Sequence, residues 1–521
     1  MTDGGLPGLL HGRAAAGPET PFLTWQGEVL TYGHADELVR VLASALMLHD
    51  SRGGGSGRIA VYAANSPGAV LVWLASQAAG LVPVTLNRAQ LGRPLAEAVR
   101  RSRASVLIAD PDGAPTLQGA AGPETRVLVL DGDHGVGSLI GSAAGSGVDA
   151  ATRQGPVALP APVEVQPGDA ATIMFSSGTT GTAKGVVIPH GMFVSSSRRL
   201  VEAWGIGPDD VLHCWAPWFH VAAQVDVFAL ALQAGASVAL FEGFSASRFW
   251  QQIHDSGATV FGGFVSVLEM LNARPPGDLD RAHRLRLGVA GHVPRALRRT
   301  FEERFGVPLL DAYGMSEAEP LTMPRVELDL PDGSCGPANP DFEIQIHDAH
   351  GILCPPGVEG QIVFRPRREH VMMLGYLDDP ERTAAAWRDG WFLTGDLGTL
   401  DERGWLSFRD RMAEFIRVRG ENVSPQEVES VLMEHPGVAE VGVVGVASEL
   451  GEHDVKAVIV PRPGTSLAGL TDWCSTRMAP FMVPRWVQVV DVLPRTPTSK
   501  VRRPELRDLA GPVQLAADLP S

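Results

Sequence analysis

The chain of 521 residues is poor in cysteine, and its four, Cys214, Cys335, Cys354 and Cys474, stand far apart. They form no CxxC pair and no disulfide framework, which predicts a reducing, cytoplasmic interior. A basic excess is also lacking. Lys plus Arg is 43 against 59 for Asp plus Glu, a formal net charge of −16. That argues against a protein that lives on nucleic-acid phosphates or on an anionic membrane, while leaving a bound nucleotide open. Lysine is scarce beside arginine, alanine and glycine, the composition of a GC-rich bacterial gene. No window holds the roughly 18 apolar residues of a membrane span. The start, Met-Thr-Asp-Gly-Gly, lacks the basic and apolar segments of a secretory signal. Neither GxSxG nor HExxH occurs, so a serine hydrolase lacks its nucleophile turn and a zinc hydrolase its ligands. No internal repeat is present.

What is there is an ordinary globular mixture, 45% hydrophobic and 20% charged, long enough for two to four domains. Phe22-Leu-Thr-Trp and Val29-Leu-Thr-Tyr flank a Gln26-Gly27 turn, which predicts a strand pair. Leu38, Val41, Leu42 and Leu46 recur at helical spacing. Strands at 58–62, 82–86 and 106–110 alternate with helices at 70–79 and 94–101, the pattern of parallel βαβ units. Residues 111–165 read as irregular loops around one strand, and the alternation resumes from 171 to about 330. The fold class is therefore α/β. A large N-terminal domain over 1–410 is expected to consist of parallel βαβ subdomains plus a β subdomain at about 340–410. A small α+β C-terminal domain follows over 411–521, its last dozen residues frayed.

The sharpest motif is Ser176-Ser-Gly-Thr-Thr-Gly-Thr-Ala-Lys-Gly185, directly after the apolar strand Ala171-Thr-Ile-Met-Phe. Its glycines permit close backbone approach. Its hydroxyls and N–H groups suit phosphate oxygens, and Lys184 adds a positive charge. The P-loop pattern GxxxxGK[ST] is absent, so this is a different phosphate loop.

SSGTTGTAKG resembles the phosphate-loop signature of the adenylate-forming superfamily: acyl-CoA synthetases, peptide-synthetase adenylation domains and luciferases. The resemblance continues in order. Tyr313-Gly-Met-Ser-Glu317 is similar to the family's YGxTE motif, and Thr394-Gly-Asp396 to its TGD motif. Asp410-Arg411 and Arg419-Gly-Glu-Asn-Val-Ser-Pro425 resemble its hinge and the loop that follows. Pro494-Arg-Thr-Pro-Thr-Ser-Lys500 resembles the segment with the catalytic lysine. Strings at 245–250, 304–310 and 420–424 look most like the crotonobetaine/carnitine-CoA ligase branch, yet no acidic, aromatic box for a quaternary ammonium is apparent.

The resemblance implies roles for matching residues. Ser176, Ser177, Gly178, Thr179, Thr180, Gly181 and Lys184 would hold ATP phosphates. Gly291, Asp311, Ala312, Tyr313, Gly314, Asp396, Phe408 and Arg411 would hold the rest of the nucleotide. Ser316 offers its hydroxyl to the α-phosphate, and Glu317 a carboxylate to Mg²⁺, a hard ion that prefers oxygen. Lys500 would bridge two negative reactants in the first half-reaction. His220 would face the carboxylate or the thiol route, and its reading as a structural histidine stands beside this one. Trp215, Trp218, Gln224, Phe264, Val289, Gly291, His292 and Met315 are expected to wall the acid pocket. Gly420, Glu421 and Asn422 would line a thiol tunnel once the small mobile C-terminal domain rotates. At the hinge, Ala413 stands where the family carries Asp or Lys, and Ser499 replaces the glycine before the lysine.

The implied activity is an ATP-dependent acid:CoA ligase that forms an acyl-adenylate with pyrophosphate release and then a thioester. ATP and Mg²⁺ are the implied cofactors and CoA the co-substrate, with a small-molecule acid as substrate. A second reading keeps the adenylation but passes the acyl group to a carrier-protein thiol or an amine, including a nitrite-activating diazotase. A third keeps only nucleotide binding without chemistry. Composition and motifs leave the oligomeric state open.

Overall fold

The computed structural model describes residues 4–52, 54–122, 125–144, 163–176, 184–291, 293, 295–331, 333–411, 416–448, 452–494, 503–509, 511 and 513–516. Two seven-stranded sheets dominate the N-terminal part. In spatial order the first runs Leu309–Asp311, Leu287–Gly291, Val260–Phe264, Val211–Cys214, Ser237–Leu240, Pro21–Trp25 and Glu28–Thr31. All neighbours in it are parallel except the hairpin Pro21–Trp25 with Glu28–Thr31. The second runs Gly375–Tyr376, Lys184–Pro189, Ala170–Ser176, Val82–Thr85, Arg58–Tyr62, Val106–Ala109 and Val127–Val129. Its centre is parallel, and the strand leading into the Ser/Thr/Gly motif pairs antiparallel with the strand that leaves it.

The helix Pro67–Ala78 is buried on every side, and its sequence explains this. PGAVLVWLASQA is apolar all round, as an interior helix must be. Ser66 caps it by accepting the N–H of Ala69, and Pro67 takes the first turn, where no N–H is required. Asn65, just before it, ties the sheets together. Its side-chain amide donates to the carbonyls of Ala216 at 3.0 Å and Phe241 at 2.9 Å, and its oxygen accepts the N–H of Trp218 at 2.8 Å.

An antiparallel sheet of Phe342–His347, Gly360–Pro366, Trp391–Leu400, Trp387–Arg388 and Leu406–Arg411 forms the β subdomain. The C-terminal unit has its own sheet, Val438–Ala447, His453–Pro461, Trp486–Val489 and Gln514–Leu515, with its own apolar cluster. Within it Lys456 is buried, and its ammonium donates to the carbonyls of Leu506 at 3.0 Å and Arg507 at 3.3 Å. These carbonyls end the helix Arg503–Arg507, where a cation is favoured. Among the described residues no helix is long and apolar enough to cross a membrane.

Three details differ from the sequence reading. A helix, Gly5–Ala16, precedes the first strand; its glycines and proline disguise it, and burial of Leu6 and Leu10 holds it. The stretch read as loops contains helices Ala114–Ala121 and Gly137–Ala144. In both, alanines supply the helix while neighbouring glycines and prolines hide it. The tail is not wholly frayed, since Gln514–Leu515 pairs antiparallel with Trp486–Val489.

Candidate functional site

Parallel strands of the first sheet end together at Cys214, Phe264, Gly291 and Asp311. Open α/β sheets bind ligands beyond these carboxyl ends. A cavity of about 530 Å³ lies there, bordered by Gly291, Ala312, Tyr313, Gly314, Asp396 and Phe408. Asp311, buried at the strand end, accepts the N–H of Val293 at 2.9 Å and so fixes the loop after Gly291. The Tyr313 hydroxyl donates to Asp396 Oδ2 at 2.7 Å. The Tyr313 and Phe408 rings stack, 5.8 Å apart and 28° from parallel. Gly395 adopts φ +76°, a left-handed turn open to glycine, just before Asp396. Together these make an aromatic shelf beside a carboxylate, a fitting seat for a purine nucleoside. Arg411 is opposite Asp396 in the strand register.

The next cluster suits phosphate. Lys184 Nζ donates to Glu317 Oε1 at 2.6 Å, and Tyr376 donates its hydroxyl to the same oxygen at 2.8 Å. Burial pushes the Glu317 carboxyl up, but Lys184 and Tyr376 outweigh it and hold the group below the usual carboxylate range. The Tyr376 phenol is driven up by burial and by the Glu317 charge. Ser316 sits at the tip of a tight loop, closed by Met315 N–H to Ala318 O at 3.0 Å and Ala318 N–H to Met315 O at 2.9 Å. No cluster of three or more metal-binding side chains occurs among the described residues. Glu317 is a single hard oxygen donor, which fits Mg²⁺ brought in on nucleotide phosphates rather than held in a protein cage.

The C-terminal unit reaches this cavity through the hairpin Ile416–Val418 and Glu421–Val423. Its two-residue turn has φ +50° at Arg419 and +83° at Gly420, the positive pair of a type I′ turn. Glu421 Oε1 meets His220 Nε2 at 3.0 Å. Burial raises the Glu421 carboxyl, yet His220 and Arg417 prevail and hold it low. A Cβ on Gly420 would come within 2.6 Å of Phe264, so glycine is required for space as well as for its dihedral. The Gly420 N–H donates to Glu452 at 2.9 Å, and Arg417 lies over the Phe264 ring at 5.3 Å. Asn422 belongs to the same hairpin strand.

Trp215, Phe264 and Val289 border the interior of the cavity. Trp215 donates its indole N–H to Gly262 O at 2.9 Å, and its ring stands edge-on to Phe264. Three other expected wall residues lie elsewhere. Trp218 is fully buried and donates to the carbonyl of Ala63 at 2.7 Å, so it joins the two sheets. Gln224 is fully buried behind the wall, in the π-helical stretch Gln224–Ala229, and Met315 packs against the main core. In their place the wall carries His213, Asp226 and Glu319. Burial pushes His213 down to about 3, a neutral imidazole. Burial also raises the carboxyls of Asp226 and Glu319, and Asp226 raises Glu319 further. An acidic, aromatic chamber therefore exists where the sequence displayed none. No motif pointed to these residues or to Tyr376; the only signal was that Glu319 stands just after the YGMSE motif.

Ser177, Gly178, Thr179, Thr180, Gly181, His292 and Lys500 lie outside the described residues, as do Ala413 and Ser499. Ser176 ends its strand next to Lys184 across the pair.

Similarity to known proteins agrees with this geometry. The AMP-binding enzyme family profile matches residues 10–377, and that of the AMP-binding enzyme C-terminal domain matches 427–500. A feruloyl-CoA synthase of Amycolatopsis sp is 32% identical over 515 residues, covering 97% of this chain and 99% of that protein. A crotonobetaine/carnitine–CoA ligase of Shigella sonnei is 31% identical, covering 86% and 88%. Among solved structures, an o-succinylbenzoate CoA synthetase from Bacillus subtilis superposes with a TM-score of 0.81 at 27% identity, covering 96% and 98%. An amide bond synthetase from Marinactinospora thermotolerans gives 0.80 at 28% identity, covering 97% and 99%. A chain matched over nearly its whole length, with the aromatic shelf and the C-terminal hairpin bordering one cavity and the Lys184–Glu317 pair beside the YGMSE loop, belongs to the AMP-binding, adenylate-forming enzyme family and is an AMP-forming, acid-activating ligase.

Proposed function

We propose that this ligase joins a small acid to CoA. In the first half-reaction a carboxylate oxygen attacks the α-phosphorus of ATP. The bond to the β-phosphate oxygen breaks, and pyrophosphate leaves an acyl-adenylate. Tyr313, Phe408 and Asp396 hold the nucleoside, with Arg411 adding a further polar contact. Lys184 and Ser316 meet phosphate oxygens, and Lys500 bridges carboxylate and phosphate, offsetting their repulsion where charge gathers. Glu317 would ligate Mg²⁺, which supplies charge neutralisation on the phosphates when bound. In the second half-reaction the thiol sulfur attacks the acyl carbonyl, loses its proton, and AMP departs. Gly420, Glu421 and Asn422 would border the pantetheine route, with His220 beside it.

The observation that carries the CoA reading is the seat of the hairpin. Gly420 packs on Phe264 and Glu421 on His220, which seats this end of the hairpin against the cavity wall. That is the orientation suited to thiol transfer. An amine acceptor is the second reading, supported by the likeness to an amide bond synthetase.

The test is pyrophosphate release from ATP and Mg²⁺ with aliphatic acids, aryl acids, and nitrite with an aryl amine, each with and without CoA. A thioester formed only with CoA is the expected result. Release with an amine and indifferent to CoA would replace the first reading with the second.

A further inference from the structure

The interior of the cavity carries buried polar atoms that have no hydrogen-bond partner. Asp226 borders it, and its Oδ1 is buried without a hydrogen-bond partner. Glu319 borders it too, close enough to feel the Asp226 charge. Among the described residues no cation pairs with either carboxyl. His213 is 2% exposed, borders the same space, and neither ring nitrogen has a partner. Its neighbours are the Phe241 and Phe249 rings, 4.8 and 5.2 Å away, which offer no donor. A neutral imidazole keeps one nitrogen as an acceptor. Buried polar groups are almost always satisfied, so an unpartnered carboxyl oxygen and an unpartnered imidazole on one cavity wall imply that a ligand meets them.

Gly314 makes room for this arrangement. Its dihedral is unexceptional, but a Cβ there would collide with the Glu319 carboxyl. Glycine at this position therefore lets Glu319 turn into the cavity. Trp215 and Phe264 supply flat walls between the nucleotide end and the acidic end.

From these contacts we infer that the acid activated here carries an amine or ammonium nitrogen at the end remote from its carboxylate, seated between Asp226 and Glu319 with His213 beside them. The inference rests on reading the cavity as the acid's pocket. One continuous cavity joins the nucleotide shelf to these side chains, so an acid whose carboxylate meets the nucleotide extends its far end to them. An acid without N–H groups leaves Asp226 and His213 unpaired and binds weakly for that reason.

The test compares 4-(aminomethyl)benzoate, 4-aminobenzoate, 4-methylbenzoate and benzylamine with the full-length enzyme. Calorimetry reads binding without ATP, and ATP–pyrophosphate exchange reads activation. The two amino acids are expected to bind about tenfold or more tightly than 4-methylbenzoate. In D226N and E319Q that preference falls, while circular dichroism and thermal unfolding report an intact fold. Equal binding of amino and methyl acids overturns the inference, as does a preference that survives both variants. Benzylamine binding as tightly as the amino acids also overturns it, since the nitrogen then belongs to a separate reactant. Selective binding of the amino acids with no exchange from any acid would instead count against the ligase reading and leave the pocket assignment standing.

Discussion

His220 of the N-terminal part and Glu421 of the C-terminal unit meet across the two folding units, ring nitrogen to carboxylate at 3.0 Å. The Glu421 carboxyl is held below its ordinary range despite burial, because His220 and Arg417 oppose that cost. A depressed folded value means that the contact's contribution is present above the unfolded carboxylate range. It is lost as pH falls through the folded value. Domain docking should therefore weaken on acidification. E421Q should slow thioester formation by about tenfold and leave ATP–pyrophosphate exchange nearly unchanged, since a hydrogen bond to a charged group contributes about 1.5–3 kcal/mol. Parallel assays of the two half-reactions check this.

The Lys184–Glu317 pair predicts a different pattern. K184M leaves a buried carboxylate with the Tyr376 hydroxyl as its sole side-chain donor among the described residues, a costly state. Exchange activity should fall by at least about a hundredfold, and thermal unfolding should move to lower temperature. Y376F keeps the ion pair and removes one hydrogen bond, so its loss of stability should be smaller, about 1 kcal/mol. Calorimetric scans of both variants give the order; the reverse order would refute it.

Tyr313→Phe keeps the stacked ring and deletes the hydroxyl that Asp396 accepts at 2.7 Å. The expected result is an approximately tenfold rise in KM for ATP with a smaller change in KM for the acid. Tyr313→Ala should raise KM for ATP further, because the shelf itself is gone.

A fourth prediction concerns the scaffold. Asp210 accepts Arg286 Nη2 at 2.7 Å, the Thr259 hydroxyl at 2.6 Å and the Gly207 N–H at 2.9 Å. Burial raises its carboxyl, but these partners win and hold it low. Its contribution is present above the unfolded carboxylate range and lost as pH falls through the folded value. D210N should lower the melting temperature at pH 7, and the gap to the parent should close toward pH 3. Unfolding curves at several pH values measure it.

The residues legible in the sequence were those bound to local patterns. Lys184, Tyr313, Glu317 and Asp396 each stand in a short glycine- and hydroxyl-bearing motif, and the structure pairs Lys184 with Glu317 and Tyr313 with Asp396. Alternating strands and helices likewise announced the sheets, because buried parallel strands are apolar runs. Asp226, Glu319 and His213 were not legible. Each alone reads as an ordinary polar residue, and only the sheet order, which brings the end of Val211–Cys214 beside distant loops, makes them neighbours. Trp218 and Gln224 misled for a related reason. The resemblance placed both on the wall, but the turn after Cys214 carries Trp218 into the seam between the sheets and the π-helical stretch buries Gln224. The helix Gly5–Ala16 escaped because long-range burial, not propensity, stabilises it.

The chain contains three lysines, Lys184, Lys456 and Lys500. The two among the described residues both have their ammonium groups engaged, one by Glu317 and one by carbonyls inside the C-terminal unit. A mixed anhydride is a potent acylating agent toward free amines. An enzyme that manufactures one thus presents its own product with very few nucleophiles to modify. The same scarcity turns amine-selective mass labelling into a clean reporter. Occupancy of the Lys184 peptide reads directly how often that lysine leaves Glu317.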